Sequence, residues 1–253
     1  MERPLILISN DDGVHARGLH HLINIARNIG DVIAVAPDIP RSGQSAALTV
    51  NAPLRIINHS DTYGAKVFSV TGTPVDCVKL ALHAITGRRP DLMLSGINHG
   101  SNAAVNNLYS GTMGAAMEAC LAGIPSIGFS LLDHSPDADF DPLTPLIDSI
   151  TRRVSEKGLP EGICLNVNFP KNCTPLGVKV LRAAEGHWTE EYADYTDPHG
   201  KPFYWLTGRF HNEEPDCPET DEYWLARQYG SIVPIRPGQT ALDMIPAIEN
   251  LFF

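Results

Sequence analysis

The sequence predicts an α/β fold, doubly wound around a mostly parallel sheet, and three observations carry that prediction. Short apolar runs recur and each stops at turn residues; segments with apolar residues at helical spacing lie between them; and the two kinds alternate over the first two thirds of the chain. A parallel sheet covered on both faces needs continuous apolar strands of this kind, because neither face meets water.

The first run, Leu5 to Ile8, ends in Ser9-Asn10-Asp11-Asp12-Gly13. Leu19, Leu22, Ile23, Ala26 and Ile29 then follow a helical period, and Gly30 stands where a helix C-terminal glycine belongs. Val32–Ala36 reads as the second strand, stopped by Pro37, and a polar loop leads to an extended pair at Leu48–Val50 and Leu54–Ile57. Val67–Val70 is a further strand, and Thr73-Pro74 opens a helix as N-cap and first helical residue, running through Cys77, Val78 and Leu82. Asp91–Ser95 is the next strand. The loop from Gly96 to Gly111 precedes a helix with Met113, Ala116, Met117 and Cys120 on one face, ended by Gly123 before the strand Ser126–Leu131. Asp141-Pro142 open a helix bearing Leu143, Leu146, Ile147, Ile150 and Val154, closed by Gly158.

From about Ala183 the pattern changes. Trp188, Tyr192, Tyr195, Phe203, Tyr204 and Trp205 stand among acids, prolines and glycines without a helical period, which reads as hairpins and arms with an interface role; a strand at Ser231–Ile235 and a helix around Ala241–Leu251 follow. The expected organisation is a Rossmann-like core over residues 1–182 and a C-terminal extension over 183–253, together one domain.

Composition narrows the function. The chain has 253 residues, 43% hydrophobic and 19% charged, enough for a large core. No stretch approaches the roughly 18 apolar residues of a membrane span, and the N-terminus has no signal-peptide pattern, so a cytoplasmic protein without membrane association is expected. Five widely spaced cysteines with no C-x-x-C suggest neither a disulfide framework nor a zinc site. A net charge of −10 opposes nucleic-acid polymers, while a small anionic substrate remains compatible if a cation reverses the local field.

The chemistry concentrates at the end of the first strand. Ligands of open α/β sheets gather at strand carboxyl ends. Asp11 and Asp12 are adjacent there, and neighbouring carboxylates either raise a pKa or hold a cation; all-oxygen donors suit Mg²⁺ or Mn²⁺. A single Asp would be read as a helix cap; a pair favours a metal. Three other segments fall on the same edge: Arg41-Ser-Gly-Gln-Ser45, a plain turn by itself; Ser95-Gly-Ile-Asn98, whose Asn offers a hard neutral oxygen or a turn support; and Tyr109-Ser-Gly-Thr112, an ordinary N-cap that is also an anion site. Jointly they describe phosphoester hydrolysis.

The motifs Ser9-Asn-Asp-Asp-Gly-Val-His15, Ala36-Pro-Asp38 with Arg41-Ser-Gly43, Gly72-Thr-Pro74 with Asp76-Cys-Val78, Ser95-Gly-Ile-Asn98, Tyr109-Ser-Gly-Thr112 and Asn166-Val-Asn168 together resemble the stationary-phase survival protein SurE family over most of the chain. The resemblance implies a metal-dependent 5′-nucleotidase, acting also on some 3′-nucleotides and short polyphosphates. It implies one divalent ion per subunit, Mg²⁺ or Mn²⁺, on Asp11, Asp12, Ser42 and Asn98. Asn10, Ser110, Gly111 and Thr112 would hold the phosphate, with Asn98 beside it. It further implies homodimers, and tetramers in some members, built from an exchanged C-terminal element and a hairpin. The chain departs from the family pattern at Arg17, where proline is usual, and at Ala104 and Asn106, where glycine and an acid are common.

The expected reaction is direct attack of a metal-activated water on phosphorus, with Asp11 and Asp12 as the catalytic acids. His15 is a candidate proton donor, against the commoner use of such a histidine in packing. Asn166 and Asn168 either contact the site or satisfy neighbouring loops. Two alternatives stay open: a covalent aspartyl phosphatase, against which the adjacency of the acids counts, and a non-catalytic nucleotide-binding module, for which no G-x-G-x-x-G or P-loop signal exists.

Overall fold

The structure, a computed structural model, describes residues 3–253, with backbone alone at 60–62; Met1 and Glu2, part of the N-terminal leader reading, lie outside it. Strand β1 (Leu5–Ser9) is buried throughout and alternates between two cores. Ile6 and Ile8 face one cluster, with Leu19, Leu22 and Ile23 of α1 (Arg17–Ala26) and Ile147 and Ile150 of α4 (Thr144–Lys157). Leu5 and Leu7 face the other, with Cys77 and Val78 of α2 (Pro74–Leu80) and Ala115 and Ala119 of α3 (Gly111–Leu121). Helices therefore cover both faces, as the apolar runs require.

The remaining strands are β2 (Asp31–Pro37), β3 (Ile56–Thr62), β4 (Ala65–Val70), β5 (Leu92–His99), β6 (Ser126–Leu131), β7 (Cys164–Phe169), β8 (Val178–Val180), β9 (Gly186–Thr189), β10 (Tyr192–Thr196), β11 (Pro202–Leu206), β12 (Arg209–Asn212) and β13 (Gly230–Ile235). Two short helices, α5 (Asp221–Leu225) and α6 (Ile245–Phe252), complete the set. Nine strands form one sheet in the order β3-β4-β2-β1-β5-β6-β7-β13-β8. All pairings are parallel except β3 with β4 and β13 with β7. From β1 the chain winds outward through β2 and β4, then returns to β5 and winds the other way, so the topological switch point lies between β1 and β5.

Local signals were followed closely in several places. Thr73 caps α2 in a reciprocal capping box with Asp76, and Gly158 closes α4 at φ +70°. In others tertiary contacts won. Leu48–Val50 forms no strand; Leu48 and Val50 are exposed, and the extended pairing begins only at Ile56. Gly30 does not cap α1, which ends at Ala26. It is glycine because a Cβ there would lie 2.2 Å from the Pro4 carbonyl oxygen. Strand β5 continues through Asn98 and His99, shortening the loop expected from Gly96.

The region after Ala183 holds the expected hairpins, β9 with β12 and β10 with β11, and Tyr192, Tyr195, Phe203, Tyr204 and Trp205 are exposed. It is not wholly outside the core, however: β13 inserts between β7 and β8, and α5, which no period signalled, packs on β13. All five cysteines are free; Cys77, Cys120 and Cys164 are buried, Cys173 and Cys217 half-buried. No helix among the described residues is long and apolar enough to cross a membrane.

Candidate active site at the β1/β5 switch point

The turn after β1 is built by Asn10. Its Nδ2 donates to the Gly13 carbonyl at 3.0 Å and its Oδ1 accepts the Gly13 N–H at 3.2 Å, both within a buried turn. That side chain thereby shapes the turn, with the second Nδ2 hydrogen left over. The turn presents Asp11, 4% exposed, and Asp12, half-buried.

Burial pushes the Asp11 carboxyl up to about 6, with the charge of Asp12 adding to the rise; the Thr112 hydroxyl acts the other way. Asp12 is also raised by burial, opposed by the His99 N–H that its Oδ2 accepts at 3.2 Å. Each acid is thus tied to a different element of the switch point.

The other expected segments converge on this turn. Arg41 N–H donates to the Asp11 carbonyl at 2.7 Å, which ties the loop carrying the exposed Ser42 to the turn of the acids. Asn98, 9% exposed, donates its Nδ2 to the Gly100 carbonyl at 3.0 Å, and its Oδ1 has no protein partner among the described residues. The loop after Ser42 is fastened to the start of α3: Ser45 N–H donates to the Tyr109 carbonyl at 3.1 Å, and its hydroxyl to the Leu108 carbonyl at 2.6 Å.

At α3, Ser110 is the N-cap, accepting the Met113 N–H at 3.0 Å. Thr112, fully buried, donates its hydroxyl to Asp11 Oδ1. The Thr112 hydroxyl therefore works inward, and its backbone N–H also faces the Asp11 carboxylate; what the helix start offers an anion is the Gly111 N–H, the dipole and the Ser110 O–H, whose oxygen accepts from Met113 while its proton stays free. Gly111 is obligatory: a Cβ would stand 2.8 Å from Asp11 Cβ, so the helix end and the acid touch.

Asn166 and Asn168 do not join the acids. Asn166 Nδ2 donates to the Asn102 carbonyl at 2.7 Å, Asn168 Oδ1 accepts the Asn102 N–H at 2.9 Å, and Asn102 Nδ2 reaches Ser130 Oγ at 2.8 Å. They hold the loop leaving β5, the plainer of the two readings. His15 is exposed, edge-on to His59 at 5.6 Å. Sequence reasoning missed two loop anchors from the far end of the chain, Trp188 and Asp221, whose partners Asn106 and Ala104 are respectively 82 and 117 residues away. No local pattern signals such pairs.

A sheet wound both ways from a carboxylate-bearing turn defines a doubly wound α/β protein, a class whose ligands gather at the topological switch point, here the β1/β5 junction. Within that class, the chain belongs to the survival protein SurE family, whose profile matches residues 6–190. It is 48% identical over 249 residues to a protein of Phocaeicola vulgatus named 5'-nucleotidase SurE, covering 98% of this chain and 97% of that one. It is also 48% identical over 253 residues to the protein of that name from Christiangramia forsetii, at 98% and 97% coverage. Among solved structures, the SurE protein of Aquifex aeolicus superposes with a TM-score of 0.85 at 34% identity, covering 99% of this chain and all of that one.

Proposed function

We propose that this chain is a metal-dependent phosphatase of nucleoside monophosphates, a 5′-nucleotidase that also accepts 3′-nucleotides and short polyphosphates. The observation that carries the reading is the contact between buried Asp11, with half-buried Asp12 beside it, and the first turn of α3. No cation counters either carboxylate among the described residues, so the pair holds a proton or an ion. Among the described residues no third Asp, Glu, His or Cys joins them, and the further donors at hand are neutral oxygens, as a hard divalent ion accepts.

Asp11, Asp12, Ser42 and Asn98 would hold one Mg²⁺ or Mn²⁺ per subunit. Such an ion supplies charge neutralisation on the phosphoryl group and activation of water. The chain's own residues do the rest. The Gly111 N–H and the Ser110 hydroxyl at the start of α3 would receive phosphoryl oxygens, and Asp11, fixed by Thr112, would orient the attacking water. Thr112 and Asn10 also hold Asp11 and its turn in place.

The relatives' names support the nucleotidase reading. We further propose a cytoplasmic homodimer, with tetramers formed by dimers pairing through the exposed β10–β11 hairpin. Every residue of α6 is exposed, including Ile248 at 49%, Leu251 at 72% and Phe252 at 72%, an apolar helix that water does not stabilise and a second copy would cover.

The test is phosphate release from a nucleotide panel with Mn²⁺ or Mg²⁺, repeated after chelation and on Asp11→Asn and Asp12→Asn. Turnover should vanish in the chelated protein and in both variants while their folding is retained. Undiminished turnover after exhaustive chelation would overturn the reading.

A further inference from the structure

We propose that Asp221, at the start of α5, is a positioning residue for this site: its carboxylate holds in place the loop that joins the Asn98 strand end to the phosphate-facing start of α3. The inference rests on the reading of the site given above. Asp221 is fully buried, and each of its oxygens has a distinct task. Oδ2 accepts the Ala104 N–H at 2.9 Å; Oδ1 accepts the N–H groups of Ala184 and Glu222, both at 2.8 Å. Its own N–H donates to the Arg182 carbonyl at 3.0 Å, so the carboxylate projects from a fixed base.

The loop needs such an outside tie. It is anchored near one end, where Asn166 and Asn168 grip Asn102, and at the other, where Ser45 grips Leu108 and Tyr109. Between those anchors Ala104 sits at φ +50°, a left-handed conformation that a residue with a Cβ adopts only when its surroundings impose it. The hydrogen bond from Asp221 falls on that very residue. Two residues on, the Trp188 indole N–H donates to Asn106 Oδ1 at 2.8 Å, a second tie to the same loop. The loop runs from Ala104 into Ser110, so loosening this tie would bear on how the start of α3, with Gly111 and Thr112, sits against Asp11.

Asp221→Asn isolates the loop tie. The amide oxygen continues to accept from Ala184 and Glu222, while its Nδ2 faces the Ala104 N–H, donor against donor. In the wild-type protein the Ala104 amide should exchange with solvent at least about a hundredfold slower than an unstructured amide. In Asp221→Asn, exchange across residues 103–107 should accelerate about tenfold or more while that of 182–186 stays slow. Per folded molecule, kcat for nucleoside monophosphates should fall ten- to hundredfold, with KM changed less than about threefold. Adding Ala104→Gly, which accepts φ +50° without strain, should recover most of that loss.

A merely structural role predicts unchanged kcat per folded molecule and no rescue by Ala104→Gly; either result overturns the proposal. An unprotected Ala104 amide in the wild-type protein overturns it without any variant. If the wild-type chain releases no phosphate from any nucleotide with Mn²⁺, the reading of the site falls, and the exchange measurements still judge the Asp221 tie.

Discussion

Thr112 donates its side-chain hydroxyl to Asp11, joining the first turn of α3 to the turn after β1 across 101 residues of sequence. This bond opposes the rise that burial imposes on the Asp11 carboxyl, favouring its charged form, the one a divalent ion would need. Thr112→Val should therefore weaken divalent-ion affinity and phosphate release by roughly 10–100-fold, the usual effect of removing a partner that orients a ligand. Thr112→Ser should restore most of both. Ion affinity is read from the rise in Tm on titrating Mn²⁺; an unchanged titration in the valine variant would refute the role.

Gly111→Ala places a methyl 2.8 Å from Asp11 Cβ, where both atoms belong to short, buried segments that cannot swing aside. We expect a destabilisation of about 1–3 kcal/mol, as for other overpacked positions. The same substitution should abolish most activity in the fraction that remains folded. Denaturant midpoints and specific activity at low temperature separate the two effects.

Burial, and the neighbouring charge of Asp221, push the Glu222 carboxyl from its usual 4.5 up to about 7. The folded chain holds this proton more tightly than the unfolded one. The resulting stability is fully present below pH 4.5 and is lost as pH rises through about 7. Glu222→Gln removes the loss: Tm should rise by roughly 2–4 °C at pH 8, the shift about 1 kcal/mol produces in a chain of this size, and be little changed near pH 4.5. An equal shift at both pH values would contradict the assignment.

Assembly is tested by deletion of residues 239–253. This cut spares β13, which a cut after Tyr229 would strip from the central sheet. With the apolar α6 gone, light scattering should report a monomer; an unchanged dimer would exclude the helix from the interface.

The sequence by itself determined the alternation of strand and helix, the acid pair at the end of β1 and the cap of α2, because each is set by neighbours within a few residues: an apolar run, a turn residue, a reciprocal hydrogen bond. It also placed Ser42, Asn98 and the Ser110–Thr112 turn on one sheet edge, since parallel winding brings strand ends together whatever the loops do. Only the tertiary structure decided how those groups divide the labour. Thr112 and Asn10 turn inward to Asp11 and Gly13, Leu48–Val50 stays out of the sheet, β13 enters it, and Asp221 reaches Ala104 from the far end of the chain. A side chain with two possible partners chooses by which one lies within hydrogen-bond distance after the chain has packed, and no local period encodes that distance.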